Sequence, residues 1–226
     1  MSRGLLPWML LGCVALVGFA LAARGIGESA APHARDSVPA RKIVASSSEP
    51  AARHYVTPDQ LAAASRDVAP TIVDFQAVAH DRGLRSLAEL ADGRPAILVF
   101  VKQGCPCSVQ FQPVFNRLAE AFDGRMAVLG VIDGGIEVAR AYAEANHVPY
   151  SILADHEGAL IRQFDVKNAA YVALVGKDGA LHTLWPGCSE SMIAELCDQA
   201  GRLSACAAVT IACPEMPAPL TTGCPF

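Results

Sequence analysis

The stretch from Ala96 to Phe111, AILVFVKQGCPCSVQF, constrains this chain more than any other. Ile97-Leu98-Val99-Phe100-Val101 is a continuous apolar, β-favouring run, the pattern of a buried strand. It stops at Lys102-Gln103-Gly104, and two cysteines follow around one proline, Cys105-Pro106-Cys107. A helical pattern then begins, with Val109, Phe111, Val114, Phe115, Leu118, Ala119 and Phe122 recurring at spacings of one turn or less. Cysteine at such a junction meets the free N–H groups and positive dipole end of the helix. These favour the thiolate and bring a thiol from about 8.5 down to roughly 3.5–7.5. Cys105 is the expected nucleophile, since Pro106 has no N–H to lose at the first helical position. Lys102 is placed to add a positive charge, and Ser108 to hydrogen-bond the sulfur. The alternative is two inert buried cysteines, or half of a structural bridge.

The rest of the chain frames that junction. Arg3 is followed by an uncharged run, Leu5 to Ala23, long enough to cross a bilayer. Small residues at Ala20-Leu21-Ala22 fit a cleaved signal peptide equally well. Residues 1–23 are therefore expected to be a signal peptide or membrane anchor, with Cys13 in a faint lipoprotein-like setting. Residues 24–56, rich in Ala, Ser, Pro and Arg, read as a flexible linker. A folded domain is expected over 57–205, and a cysteine-containing tail over 206–226. Eight cysteines together with that N-terminus point to an exported protein, periplasmic or in the cell envelope. A net charge of −4 without a Lys/Arg run gives no footprint for nucleic acid.

Within the domain, Thr57-Pro58 starts a short helix, Thr71 to Val78 is strand-like, and Asp81-Arg82-Gly83 is a turn. Ser86 to Leu90 is a capped helical turn. Beyond the cysteine helix, Met126–Asp133 is a second buried strand, Ile136–Asn146 a helix, Ser151–Ala154 a short extended piece and Gly158–Phe164 a short helix. Tyr171–Val175 and Ala180–Trp185 form a hairpin around Lys177-Asp178-Gly179. Ser189–Leu203 is the last helix. The order β-α-β-α-β-β-α predicts an α/β thioredoxin-like fold, a central mixed sheet with helices on both faces.

From about Thr71 to Leu203 the chain resembles the redoxins, the group of thiol-specific antioxidant and thioredoxin-like proteins. The likeness rests on Asp81-Arg82-Gly83 with Ser86-Leu87 and Leu90, on Gly104-Cys105-Pro106, on Tyr150 to Asp155, on Phe164-Asp165-Val166 and on the Leu174–Gly179 hairpin. The ending Leu220 to Phe226 is similar to that of redoxin-domain proteins with a Cys-Pro-Cys-Ser core. Three positions depart from the group. Ser108 stands where thioredoxins carry their second cysteine. Val101-Lys102-Gln103-Gly104 lacks the proline and Thr/Ser of typical peroxiredoxins, and Ala170, before Tyr171, occupies the place of the thioredoxin cis-proline.

The remaining cysteines leave alternatives open. Cys107, two residues after Cys105, points to another side of a helix, so bonding the two would distort the first turn. The resolving thiol is Cys107, Cys224 in the tail, or a thiol of another molecule. Cys224 has a plainer alternative, a bridge to Cys188. Cys188 and Cys197 would lie about 13 Å apart along a helix, too far for a bond. Structural bridges are expected among Cys188, Cys197, Cys206 and Cys213, as Cys206–Cys213 or Cys197–Cys206. Asp133, Asp155 and Tyr171 fall at strand ends beside the site, and the six histidines show no metal-ligand spacing.

These readings converge on an extracytoplasmic thiol–disulfide oxidoreductase exchanging electrons through Cys105 with protein or small-molecule thiols and disulfides. It would need no cofactor and no metal, and would meet the membrane through its N-terminal segment. The alternatives are a thiol peroxidase acting on hydroperoxides, a Cu(I)-handling protein using Cys105 and Cys107, and an idle redoxin domain used for binding.

Overall fold

The computed structural model describes residues 54–64 and 71–226. The expectations for residues 1–23, and for the linker up to residue 53, lie outside the described residues. Among the described residues no helix is long and apolar enough to cross a membrane.

The centre is a seven-stranded mixed sheet. β2 (Gln76–Ala79) and β3 (Gly83–Ser86) form one edge hairpin, and β7 (Val172–Val175) and β8 (Leu181–Trp185) form the other. Between them lie β4 (Ala96–Val101), β5 (Ala127–Ile132) and β6 (Ile152–Ala154), in the order β3-β2-β6-β5-β4-β7-β8. β4 pairs parallel with β5, Val101 opposite Ile132, and antiparallel with β7, Val99 opposite Val172. Flanked on both edges, β4 buries every side chain, which is why its sequence is apolar without alternation.

The pleat of β4 divides the core. Ile97, Val99 and Val101 face the layer of α3 (Pro106–Ala121), α4 (Ile136–Ala145) and α6 (Glu190–Leu203). Leu98 and Phe100 face the layer of α2 (Leu87–Ala91) and α5 (Ala159–Gln163). The expected α/β thioredoxin-like arrangement, with helices on both faces, is the one observed. Local signals act where the sequence places them: Ser86 and Glu89 close a capping box on α2, and Thr57 Oγ1 accepts the Gln60 N–H at the start of α1 (Pro58–Ala64). The Thr71–Val78 reading is too long, because the strand proper begins at Gln76 and turns straight into β3.

Residues after α6 are packed against the domain. Ala205 takes a left-handed φ of 50°, and the Cys206 and Ala205 N–H groups close the helix on Gly201 and Arg202, a Schellman turn that sends the chain away from α6. Arg117 of α3 pairs with Glu215 at 2.5 Å, and Met216 is buried. The chain then forms β9 (Thr221–Thr222), antiparallel to β1 (His54–Tyr55). Residues expected as the end of the linker and as a cysteine-containing tail thus hold each other as a strap across the domain. Thr221 also exchanges both main-chain bonds with Cys188, at 2.8 and 2.9 Å.

Candidate active site

The loop from β4 to α3 turns on Gly104, whose φ of 71° is open to glycine at little steric cost. Cys105 is the N-cap of α3, in extended conformation, and Pro106 is the first helical residue. The Cys105 N–H donates to the Lys102 carbonyl at 3.2 Å, which closes the loop. Its sulfur is nearly enclosed, the residue being 2% exposed. Burial by itself raises the Cys105 thiol. The Cys224 main-chain N–H, which donates to the sulfur at 3.3 Å, outweighs that effect together with the Cys224 side chain and, more weakly, Ser108. The net result holds Cys105 below the ordinary thiol value.

The other expected site residues divide. Ser108 accepts the Lys102 N–H at 3.0 Å, and its hydroxyl serves the Cys105 sulfur. Lys102 does not place its charge on Cys105. Its Nζ is held by Asp133 at 2.9 Å and lies 5.6 Å from the centre of the Phe226 ring, and its field acts on Cys224 instead. Asp133 also accepts the Gln103 N–H at 2.7 Å, so it fixes the loop. Cys107 is buried in the helical layer and pushed up to about 11, first by burial and then by the charge of Cys105. Asp155 is occupied elsewhere, accepting the Leu160 and Ile161 N–H groups at the start of α5.

Beneath the first turn of α3 lies a buried polar chain that sequence reasoning missed. Tyr142 donates to the Ser108 carbonyl at 3.0 Å and to Gln112 Oε1 at 2.9 Å, and Gln112 Nε2 donates to the Tyr150 hydroxyl at 2.6 Å. Burial drives both phenols far above their ordinary range, so both stay protonated, Tyr142 as donor and Tyr150 as the acceptor of the Gln112 N–H. The only sequence signal was polar Gln112 on the apolar face of α3.

Ala170, at the place of the thioredoxin cis-proline, immediately precedes Tyr171 and β7. It is fully buried at a φ of 66°, and its N–H donates to Phe100 at 2.7 Å. The strap runs alongside. Gly223 N–H donates to Ala169 at 2.8 Å, Ala169 N–H to Cys224 at 2.9 Å, and Phe226 N–H to Lys167 at 3.0 Å. A Cβ at Gly223 would stand 2.8 Å from the Ala169 Cβ, so only glycine allows this approach.

All seven described cysteines are free thiols, so none of the expected bridges is a bond in this structure. Cys206 closes the Schellman turn through its N–H on Gly201. Its sulfur accepts from the Ser204 hydroxyl at 3.2 Å, which, with Arg125, lowers its thiol. Cys197 and Cys213 instead line one groove between α6 and residues 208–213, and Cys197 is raised to about 11, mainly by burial. Cys188 donates to the Ala170 carbonyl at 3.4 Å and does not bond Cys224. Among the described residues no group of three or more His, Cys, Asp or Glu side chains is arranged to hold a metal ion.

A cysteine at the β4–α3 junction of a mixed sheet layered by helices on both faces defines a thioredoxin-fold redoxin. Residues 67–185, more than half of the chain, match the AhpC/TSA family model, and the chain belongs to that family. Three solved structures are similar. A hypothetical protein of Sinorhizobium meliloti superposes with a TM-score of 0.52 at 16% identity, covering 68% of this chain and 90% of that one. A variant of peroxiredoxin Q from Xanthomonas campestris gives 0.50 at 19%, covering 56% and 91%. The exposed lipoprotein thioredoxin of Streptococcus pneumoniae gives 0.50 at 21%, covering 58% and 100%. At these identities the likeness is one of fold. No curated protein sequence matches.

Proposed function

We propose that this chain is an extracytoplasmic thiol–disulfide oxidoreductase in which the Cys105 thiolate attacks protein or small-molecule disulfides. The observation that carries the reading is the Cys105 sulfur at the start of α3, receiving the Cys224 N–H against the cost of burial. A thiol held as thiolate is the attacking species in exchange, and its rate follows the thiolate fraction. The location rests on the uncharged Leu5–Ala23 run and the eight cysteines. Membrane attachment through the same segment is part of the proposal.

The enclosure of Cys105 sets how substrate reaches it. Burying β4's Ile97, Leu98, Val99, Phe100 and Val101 stabilises the platform by roughly 1.5–3 kcal/mol per side chain. The strap from Thr221 to Phe226 is held by hydrogen bonds contributing about 0.5–1.5 kcal/mol each and by Cys224 and Phe226, which are only partly buried against the core. Opening of the strap is therefore the cheaper motion, and it precedes attack. A cleft lined by Asp133, His156, Arg162, Lys167 and Phe226 lies beside it and would receive the substrate.

The test is reduction of a protein disulfide by the full chain, alongside a titration of Cys105 by its thiolate absorbance. Turnover lost in Cys105→Ser, with Cys105 titrating below an ordinary thiol, supports the proposal. An ordinary titration and no turnover would overturn it. The AhpC/TSA match favours one second reading, a thiol peroxidase, although the residues before Cys105 lack the peroxiredoxin proline and Thr/Ser. Consumption of hydrogen peroxide with thiol turnover, lost in Cys105→Ser, would select it.

A further inference from the structure

Three thiols compete to resolve an intermediate on Cys105, and the structure separates them. We propose that Cys224, carried on the strap, is the resolving thiol, so that the catalytic disulfide is Cys105–Cys224 within one chain. The inference rests on Cys105 being the nucleophile, as proposed above.

Cys107 is the nearer thiol in sequence, but it is held inside the helix that Cys105 caps. It lies in the first turn of α3, where the Val109 N–H already bonds the Cys105 carbonyl at 3.4 Å and Tyr142 holds the Ser108 carbonyl from below. Turning its sulfur onto Cys105 would break that turn. Cys224 reaches Cys105 from a different segment, with its main-chain N–H on the sulfur at 3.3 Å. Its neighbours are anchored by main-chain bonds to Ala169 and Lys167, and no helical bond must break to close the pair.

The chemistry also runs in sequence. The Cys105 thiolate attacks a substrate disulfide, forming a mixed disulfide and releasing one substrate thiolate. Cys224 then attacks the Cys105 sulfur, forming Cys105–Cys224 and releasing the second thiolate. Two electrons pass to the substrate, which takes up two protons, one given up by Cys224 and one from solvent, where the Cys105 proton went when the thiolate formed. Before the first step Cys224 is kept protonated, by burial first and then by its hydrogen bond to Cys105 and the charge there. Once Cys105 is a disulfide, those last two restraints vanish while the pull of Lys102 remains. Burial, the largest restraint on each, persists at both Cys107 and Cys224, and only at Cys224 does the Lys102 charge oppose it. The strap therefore supplies both the N–H that steadies the nucleophile and the thiol that clears it.

The test is a disulfide map, by mass spectrometry, of the full reduced chain after exposure to oxidised glutathione. Wild type and Cys107→Ser are expected to yield a Cys105–Cys224 cross-link, and Cys224→Ser to accumulate glutathione on Cys105 at least tenfold over wild type. A Cys105–Cys107 link, or one between chains, in the wild type would overturn the inference while leaving Cys105 as nucleophile. Cys224→Ser remaining unmodified at Cys105 would instead overturn the function proposed above.

Discussion

Cys105 and Cys188 invite comparison because the chain treats them alike in almost every respect. Each stands where a strand hands over to a helix, β4 to α3 and β8 to α6. Both are buried, and both touch the same strap, Cys105 through Cys224 and Cys188 through Thr221. Their acidities nevertheless run in opposite directions. At Cys188 burial acts alone and pushes the thiol far up, and its S–H donates to the Ala170 carbonyl. The start of α6 is already served by Ser189, whose Oγ accepts the Met192 N–H. Cys105 is itself the N-cap residue, its sulfur makes no capping bond within α3, and the Cys224 N–H from the distant strap points at that sulfur. A helix start does not make a thiol acidic unless its donors, or others, reach the sulfur.

The largest expected contrast is in activity. Cys105→Ser should lower disulfide exchange on the order of 10³-fold or more, as removal of a nucleophile does. Cys188→Ala should change the rate less than about twofold and instead lose about 1 kcal/mol in urea unfolding. Comparable activity losses in the two variants would erase the distinction. Next comes the hinge between the cysteines, Ala170, which presents its carbonyl to Cys188 and stands at the family's proline position. Ala170→Pro, far from restoring a family feature, should cost about 3 kcal/mol or more, because proline cannot take a positive φ and lacks the N–H given to Phe100. An unchanged denaturation midpoint would refute that.

A finer test moves the donor without touching either sulfur. Gly223→Ala should push the strap off Ala169, withdraw the Cys224 N–H, and shift the Cys105 titration upward while leaving Cys188 unreactive. An unmoved Cys105 titration would mean that the strap does not set its acidity. The smallest effect is on stability against pH. Cys107 and Cys197 are raised to about 11 in the folded chain from an ordinary value of 9.0. Their contribution is full below about 9 and is lost as pH rises toward 11, because the unfolded thiols ionise first. Cys105 has the opposite sign, adding stability as pH climbs from its lowered value toward 9.0. Unfolding midpoints across that range, in wild type and Cys105→Ser, separate the two.

Much of the fold was legible in the chain because its signals are local. The unbroken Ile97–Val101 run announced a strand flanked on both edges, Pro106 announced the first turn of α3, and Ser86 with Glu89 announced the cap of α2. Cys105 as the candidate nucleophile followed from the same junction. The partners of that sulfur could not be read this way, because Cys224 lies 119 residues distant along the chain. Lys102, adjacent in sequence and expected to assist, is turned to Asp133 across the β4–β5 pair. The C-terminal tail is held by bonds to His54–Tyr55, Cys188 and Ala169, none of which carries a periodic sequence signal.

By itself the sequence determined where the strands and helices fall and that a cysteine stands at the head of the central helix, because propensity, capping and hydrophobic periodicity act over a few residues. Only the tertiary structure decided which cysteine is acidic, which remain protonated and which two meet. Those outcomes depend on burial and on donors brought in by distant segments, and both are settled by how the chain packs.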